Sequence, residues 1–217
     1  MMVGLVTARP AHEETVEAVG RELAAFLESR SRAAAAYGTH FGALWEEAGV
    51  CILGGKLLRP RLLIELFDAL AADRPVSASR PSVVRIAAAV ELLHYSFLLH
   101  DDVIDGDLTR RHRPNLIGAL LQKTEADAAP ASSAPRRPSQ DDVLHWARTG
   151  GILMGDLMLT AALQAFAREQ LPPQMRLALL DLLDRTITES VAGSCSTWAS
   201  ATASSPRSCT PCCRCPA

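Results

Sequence analysis

Three aspartates, Asp101, Asp102 and Asp105, lie close together in the segment ELLHYSFLLHDDVIDGDLTRR, residues 91–111. Asp101 and Asp105 are four residues apart, so they share one face if the segment is helical. Neighbouring carboxylates repel each other unless a cation lies between them, and Mg²⁺ prefers carboxylate, water and phosphate oxygens. The spacing therefore favours a site in which Mg²⁺ joins a diphosphate to this helix.

Two arginines, Arg110 and Arg111, follow within two helical turns. A guanidinium group offers a planar fork of donors that matches phosphate oxygens. A metal and a guanidinium could thus hold the same anion. The alternative is a solvated, charged helix end with ordinary ion pairs. The nearly unbroken apolar stretch of residues 87–99 before the aspartates, together with a second basic cluster upstream, favours the anion site.

The upstream cluster is GGKLLRP, residues 54–60. Its glycines allow close approach of the backbone to a ligand. Lys56 and Arg59 lie near the start of a predicted helix, where the backbone dipoles favour negative charge. Taken alone, this pattern also fits an ordinary loop-to-helix junction with exposed basic residues.

Apolar residues recur at helical spacing along most of the chain, which predicts helices. These helices must position the motif residues. Glycine and proline residues mark the breaks between the helices. The pattern predicts helices over residues 11–36, 40–49, 60–72, 83–107, 114–123, 143–168 and 174–191.

The composition supports an all-α protein: 48% of the 217 residues are hydrophobic, aromatics are only 5%, and alanine and leucine dominate. The net charge of −2 gives no reason to expect nucleic-acid binding. The first residues lack the basic region of a signal peptide. No run reaches the roughly 18 apolar residues that span a bilayer. We therefore expect a cytoplasmic protein without a membrane span.

Two segments depart from the helical pattern. Residues 125–140 are rich in alanine, proline and serine, which predicts a mobile insert. Beyond Gly193 the chain contains no aspartate, glutamate, leucine or isoleucine, so we expect residues 194–217 to be disordered. A zinc site is the alternative for the tail, but the spacing of its cysteines is cramped: Cys209, Cys212, Cys213 and Cys215.

Three motifs in order resemble the polyprenyl synthetase family, the trans-isoprenyl diphosphate synthases. GGKLLRP resembles the family's GGKRLRP, with Leu57 where a basic residue is usual. LLHDDVIDGDLTRR resembles the first aspartate-rich motif, DDxxD, with its trailing arginine pair. GGILMGDLMLTAAL, residues 150–163, is similar to a later family helix. The resemblance covers about residues 13–193, so the expected domain is a partial synthase domain over residues 1–193.

The resemblance implies a helical isoprenoid synthase bundle around a central cavity, usually dimeric. It also implies a Mg²⁺-dependent prenyltransferase, which condenses isopentenyl diphosphate with an allylic diphosphate to a short-chain (C15–C20) product. Asp101 and Asp105 would hold Mg²⁺ with support from Asp102, and Arg110 would bind the allylic diphosphate. The residues expected to hold isopentenyl diphosphate are Lys56, Arg59, His94 and Arg111.

Product length in the family depends on side chains just before the first aspartate motif. Here these are Ser96 and Phe97. One helical turn would place them beneath the diphosphate site. Ser96 leaves room for a growing chain and Phe97 floors part of the cavity, which favours a geranylgeranyl-length product.

One family feature has no counterpart: a second aspartate-rich motif that binds further Mg²⁺. Asp141 and Asp142 lie in the wrong place for it. The alternative function is therefore an inactive truncated or frameshifted fragment, or a non-catalytic regulatory subunit of a prenyl synthase. A terpene cyclase is a third hypothesis, against which Lys56 and Arg59 argue, because cyclases need no isopentenyl diphosphate site.

Overall fold

The computed structural model of the protein describes residues 9–72, 78–127 and 139–204, and these ranges are helical apart from one short hairpin. The all-α prediction is confirmed. The chain divides into two compact units, Met1–Pro172 and Pro173–Ala217. The first contains α1 (Arg9–Ala34), a 3₁₀ turn (Ala35–Tyr37), α2 (Thr39–Leu53), α3 (Leu58–Ala71), α4 (Arg80–Asp105), β1 (Thr109–Arg110), β2 (Arg113–Pro114), α5 (Leu116–Asp127) and α6 (Gln140–Arg168). The second contains α7 (Pro173–Ser204).

The helices that the sequence predicts are all present, and side-chain caps explain the earlier starts of α4 and α6. Ser79 accepts a hydrogen bond from the Ser82 amide, and Pro81 suits the first turn, so α4 begins three residues earlier than predicted. A reciprocal Ser139–Asp142 capping box similarly starts α6 at Gln140. Asp142 is thus the third helical residue of this capping box, and its carboxylate accepts from the Ser139 amide and hydroxyl.

The core of the first unit is built on α4 and α6, which pack against each other more extensively than any other described pair of elements. Glycines of α6 make this close approach possible. A Cβ atom on Gly155 would lie 2.6 Å from Nε2 of His100, and one on Gly151 would lie 3.1 Å from Cγ2 of Val103. His100 Nε2 also contacts Oδ1 of Asp156 at 3.2 Å. The motif at residues 150–163 therefore docks α6 onto the helix that carries the aspartates.

Helices α1, α2, α3 and α5 surround this pair and complete one apolar core. Large side chains that are almost fully buried come from every one of these layers. Each contributes about 1.5–3 kcal/mol relative to an exposed position. They include Leu23, Ile64, Leu99, Leu120, Met154, Met158 and Phe166.

Helix α7 continues through residues 194–204, where the sequence predicts disorder. Hydroxyl side chains there bond back to backbone carbonyls one turn earlier: Ser194 to Ser190, Ser196 to Ala192 and Thr197 to Gly193. This local pairing suits a polar, alanine-rich helix without an apolar stripe. The four clustered cysteines of the tail and most of the insert predicted at residues 125–140 lie outside the described residues.

Two described helices, α4 and α6, are long and apolar enough to cross a membrane by length and composition alone. About half of the most apolar window of each is buried within the fold, 50% for α4 and 44% for α6. Core helices of soluble proteins pass the same test, so this is weak evidence for a span.

Candidate active site

A cavity of about 180 Å³ lies between the end of α2, the start of α3, the middle of α4 and the hairpin. All the basic residues singled out in the sequence line it, although they come from three separate segments: Lys56, Arg59, His94, Arg110 and Arg111. The fold therefore collects these side chains into one site, here named the basic pocket. Such a concentration of cationic donors suits a phosphorylated ligand.

The turn between α2 and α3 presents the first two of these cations. Leu57 has the left-handed conformation (φ 49°), which L-residues other than glycine rarely adopt. Its side chain is buried, and this anchors the turn between the exposed Lys56 and Arg59. The leucine at the position where the family has a basic residue thus serves as a hydrophobic anchor.

The hairpin presents the arginines. Arg110 pairs with Arg113 across the strands, and Arg111 and His112 form the two-residue turn with φ of 53° and 62°. Such a turn usually contains Asn-Gly, because both central residues need positive φ. Every non-glycine residue with positive φ in the described ranges flanks the basic pocket, where strained backbone often accompanies function.

Asn115 fastens the hairpin to the fold. Its side-chain amide donates to the Asp107 carbonyl at 2.8 Å, and its Oδ1 accepts from the Gly118 amide at 2.9 Å. The second bond caps the start of α5. A single buried side chain thereby ties the end of α4, the hairpin and α5 together, which fixes the direction of the arginines.

Asp102 lies apart from the other two aspartates of its motif. Its side chain is only 4% exposed, and its Oδ1 atom accepts a hydrogen bond from Nη2 of Arg110 at 2.6 Å, which makes an ion pair. Burial raises the pKa of Asp102, although the hydrogen bond from Arg110 opposes the shift. In the structure Asp102 holds Arg110 in the wall of the basic pocket, and its predicted support of Mg²⁺ stays a prediction.

Asp101 and Asp105 lie outside the pocket lining, on the adjacent face of α4. Asp105 is exposed and Asp101 partly so. Among the described residues no ion pair or hydrogen bond engages either carboxylate, and no group of three acidic, histidine or cysteine side chains is placed to hold a metal by itself. This face, here named the acidic face, therefore offers two hard oxygen donors, which leaves the remaining coordination positions to water and ligand oxygens.

His94 is neutral at physiological pH. Burial lowers its pKa to about 4, and the positive charges of Arg59, Arg110 and Arg111 act in the same direction. A neutral imidazole can donate one hydrogen bond to an anion without adding a charge.

Further residues line the pocket without having been predicted from the sequence as site residues, among them Cys51, Glu91, Tyr95, Arg113 and Asn115. Burial raises the pKa of the Cys51 thiol and of the Tyr95 hydroxyl, so both stay protonated. Glu91 and Tyr95 lie within one helical turn of His94, but nothing else in the sequence marked them as site residues. The predicted chain-length residues, Ser96 and Phe97, do not line this pocket. Ser96 is completely buried (0% exposed), and its role stays a prediction.

The chain matches a known protein family. The polyprenyl synthetase family model matches residues 44–205, about three quarters of the chain. The match includes the basic cluster, the aspartate motif, the hairpin and α6. It also reaches beyond residue 193, where the sequence resemblance was expected to end.

Individual relatives agree with the family match. A geranylgeranyl diphosphate synthase from Methanosarcina mazei is 33% identical over 136 residues, 63% of this chain and 32% of that protein. A farnesyl diphosphate synthase from Geobacillus stearothermophilus is 30% identical over 135 residues, 60% of this chain and 35% of that protein. The chain thus aligns with about a third of the length of these relatives.

A solved structure shares the fold. Geranylgeranyl pyrophosphate synthase from Corynebacterium glutamicum, complexed with isoprenyl diphosphate and magnesium, superposes with a TM-score of 0.62 at 25% identity. The superposition covers 74% of this chain and 42% of that chain.

Proposed function

The chain belongs to the polyprenyl synthetase family, and we propose that it is a prenyltransferase condensing isopentenyl diphosphate with an allylic diphosphate to a short-chain product. The observation that carries this proposal is the basic pocket directly beside the acidic face of α4. Two diphosphate groups need two adjoining anion sites of different character. Lysine and arginine supply one, and carboxylates with Mg²⁺ supply the other.

In the basic pocket, Lys56, Arg59 and Arg111 bind the diphosphate of isopentenyl diphosphate. Lys56 lies in the turn before α3, Arg59 in the first turn of α3 and Arg111 in the hairpin turn, so their backbone positions are set by the fold. His94, neutral and partly buried, donates one hydrogen bond to the same group. The apolar wall near Leu98 excludes water from the neighbouring double bond.

On the acidic face, Asp101 and Asp105 would hold Mg²⁺. Their donor chemistry fits this ion: two carboxylates on one helical face, without competing partners in the described residues. When bound, Mg²⁺ would neutralise the negative charge that builds on the departing diphosphate. Arg110, oriented by Asp102 in the wall of the basic pocket, would donate to the leaving group.

We further propose a soluble, cytoplasmic homodimer. Support comes from the family, whose members in the comparisons are diphosphate synthases. It also comes from leucine and isoleucine side chains of α6 that are exposed in the isolated chain, including Ile152 and Leu153. No observation favours the alternative of a non-catalytic regulatory subunit.

The test is incorporation of radiolabelled isopentenyl diphosphate with geranyl or farnesyl diphosphate as acceptor. The proposal predicts a labelled product that forms with Mg²⁺ and disappears with a chelator, and its length reports the depth of the cavity. Absence of product from folded protein that binds both diphosphates would contradict the catalytic proposal. The Arg61→Ala variant should form product like the wild type, because Arg61 pairs with Glu65 and does not line the pocket.

A further inference from the structure

Glu91 is a buried carboxyl group within a pocket that is otherwise rich in positive charge. It lies one turn before His94 on α4, lines the basic pocket and is only 9% exposed. Its Oε2 atom is shielded from solvent and has no hydrogen-bond partner in the part of the chain that the structure describes. A buried carboxylate without donors is costly, so this side chain requires an explanation.

The groups around Glu91 come from every wall of the pocket. The positive ones are Lys56, Arg59, Arg110, Arg111 and Arg113. The remaining titratable groups are His94, Tyr95 and Asp102 on α4 itself and Cys51 on α2. Arg59 and Arg111 are the charges that stabilise the ionised form of Glu91. The two arginines proposed to bind the ligand therefore oppose the effect that burial has on the pKa of Glu91.

Glu91 has little freedom to move away when a ligand enters. The backbone of Gly55 packs directly on its carboxyl group, since a Cβ atom added there would lie 3.2 Å from Oε1. The second glycine of GGKLLRP thus provides the space that the carboxyl group occupies. An anion bound by Arg59 and Arg111 would share this confined space with a second negative charge.

We propose that Glu91 takes up a proton from solvent when a diphosphate binds in the basic pocket, so that ligand binding and protonation of this carboxyl group are coupled. The carboxylate oxygen gains the proton, no ligand bond breaks, and the protonated group becomes a hydrogen-bond donor. Two like charges in a poorly solvated site favour protonation of one of them. Burial by itself raises the pKa of Glu91. The inference rests on the proposed function, because it requires a diphosphate in this pocket.

The test is calorimetric titration of the protein with inorganic diphosphate, in two buffers of different ionisation enthalpy at the same pH. The difference in heat gives the number of protons taken up, and the ligand's own protonation is common to all variants. The wild type should take up at least about half a proton more than Glu91→Gln. The His94→Gln variant is the matched control: it removes the neighbouring titratable group, and it should keep the Glu91 contribution.

The affinity gives a second readout. The wild type should bind diphosphate more weakly as the pH rises from about 6 to about 8, and Glu91→Gln should lose much of this dependence and bind about tenfold more tightly at the upper end. Equal proton uptake in the wild type and Glu91→Gln would overturn the inference and leave the proposed function intact. Absence of any binding to the wild type would overturn both.

Infrared difference spectroscopy covers the case in which Glu91→Gln does not fold. Wild-type protein with isotopically labelled glutamate should show a new protonated-carboxyl band when diphosphate is added. Absence of this band from the saturated complex would overturn the inference without any variant.

Discussion

The basic pocket and the acidic face lie side by side on α4, yet they are built in opposite ways. In the pocket, charged groups are partly buried, several have shifted pKa values, and Arg110 is held by a buried partner. On the acidic face, Asp101 and Asp105 project without partners among the described residues. One site is thus organised by the protein's own contacts, whereas the proposed function needs a metal and its ligand to complete the other.

A large loss of affinity is expected when a cation of the pocket is removed. Arg59→Ala should weaken binding of isopentenyl diphosphate about tenfold to a hundredfold, because one charge-assisted hydrogen bond contributes about 1.5–3 kcal/mol. The measurement is calorimetric titration without Mg²⁺. Arg61→Ala, on the same helix but paired with Glu65, should bind like the wild type. Similar losses in both variants would mean that the effect is not specific to the pocket.

Substitutions at two adjacent aspartates should have different effects, because Asp102 belongs to the pocket and Asp101 to the acidic face. Asp102→Ala should lower the free energy of unfolding by about 1–3 kcal/mol, because it leaves the Arg110 guanidinium without its counter-ion. Asp101→Ala should abolish Mg²⁺-dependent binding of an allylic diphosphate and leave stability nearly unchanged. Urea denaturation and calorimetry together measure both effects. Unchanged Mg²⁺-dependent binding in Asp101→Ala would refute the metal assignment.

Substitutions where α6 packs on α4 should change the free energy of unfolding and not ligand binding. Gly155→Ala should destabilise the protein by about 1–3 kcal/mol, because the added Cβ atom would lie 2.6 Å from His100 Nε2. Gly42→Ala is the matched control: Gly42 is also buried in a helix, but a Cβ atom there meets nothing within 4 Å. It should be neutral or stabilise by up to about 1 kcal/mol. Thermal denaturation distinguishes the two.

The smallest effect is the pH dependence of stability that His94 contributes. Its pKa is lowered to about 4 in the folded protein, below the ordinary value of 6.5. The unfolded chain therefore binds more protons between these values, and the contribution of His94 to stability is lost as the pH falls through this window. His94→Gln should flatten the dependence by an amount on the order of 1 kcal/mol.

Urea denaturation at several pH values measures this effect, and exposed His145 on α6 provides the control position. His145→Gln should retain the wild-type profile. An identical profile in the wild type and His94→Gln would contradict the neutral, desolvated state of His94.

Much of the fold could be predicted because glycine, proline and capping residues punctuate the chain. Gly106 ends α4 in the left-handed conformation, and Pro173 starts α7, as their residue types suggest. The cations of the basic pocket could also be predicted, because they lie in short motifs of the sequence. Helical residues 194–204 could not, because this segment has no apolar stripe at helical spacing and its hydroxyl groups bond to carbonyls one turn earlier, at Ser190 and Ala192.

The different roles of Asp101 and Asp102 could not be predicted from spacing. Successive helical residues point about 100° apart, and tertiary packing decides which of them is buried. The hairpin turn was equally hidden, because Arg111 and His112 adopt positive φ without the glycine or asparagine that usually signals it. Glu91 was missed because its significance arises only when Gly55 and the arginines are brought against it.

The most direct test of the central contrast is the metal dependence of the two binding events. Wild-type protein would be titrated with isopentenyl diphosphate, and separately with a non-hydrolysable allylic diphosphate analogue, in the presence of Mg²⁺ and of a chelator. The account predicts that isopentenyl diphosphate binds equally well in both conditions, whereas the allylic analogue binds only with Mg²⁺. Loss of isopentenyl diphosphate binding in the chelator, or metal-independent binding of the analogue, would contradict it.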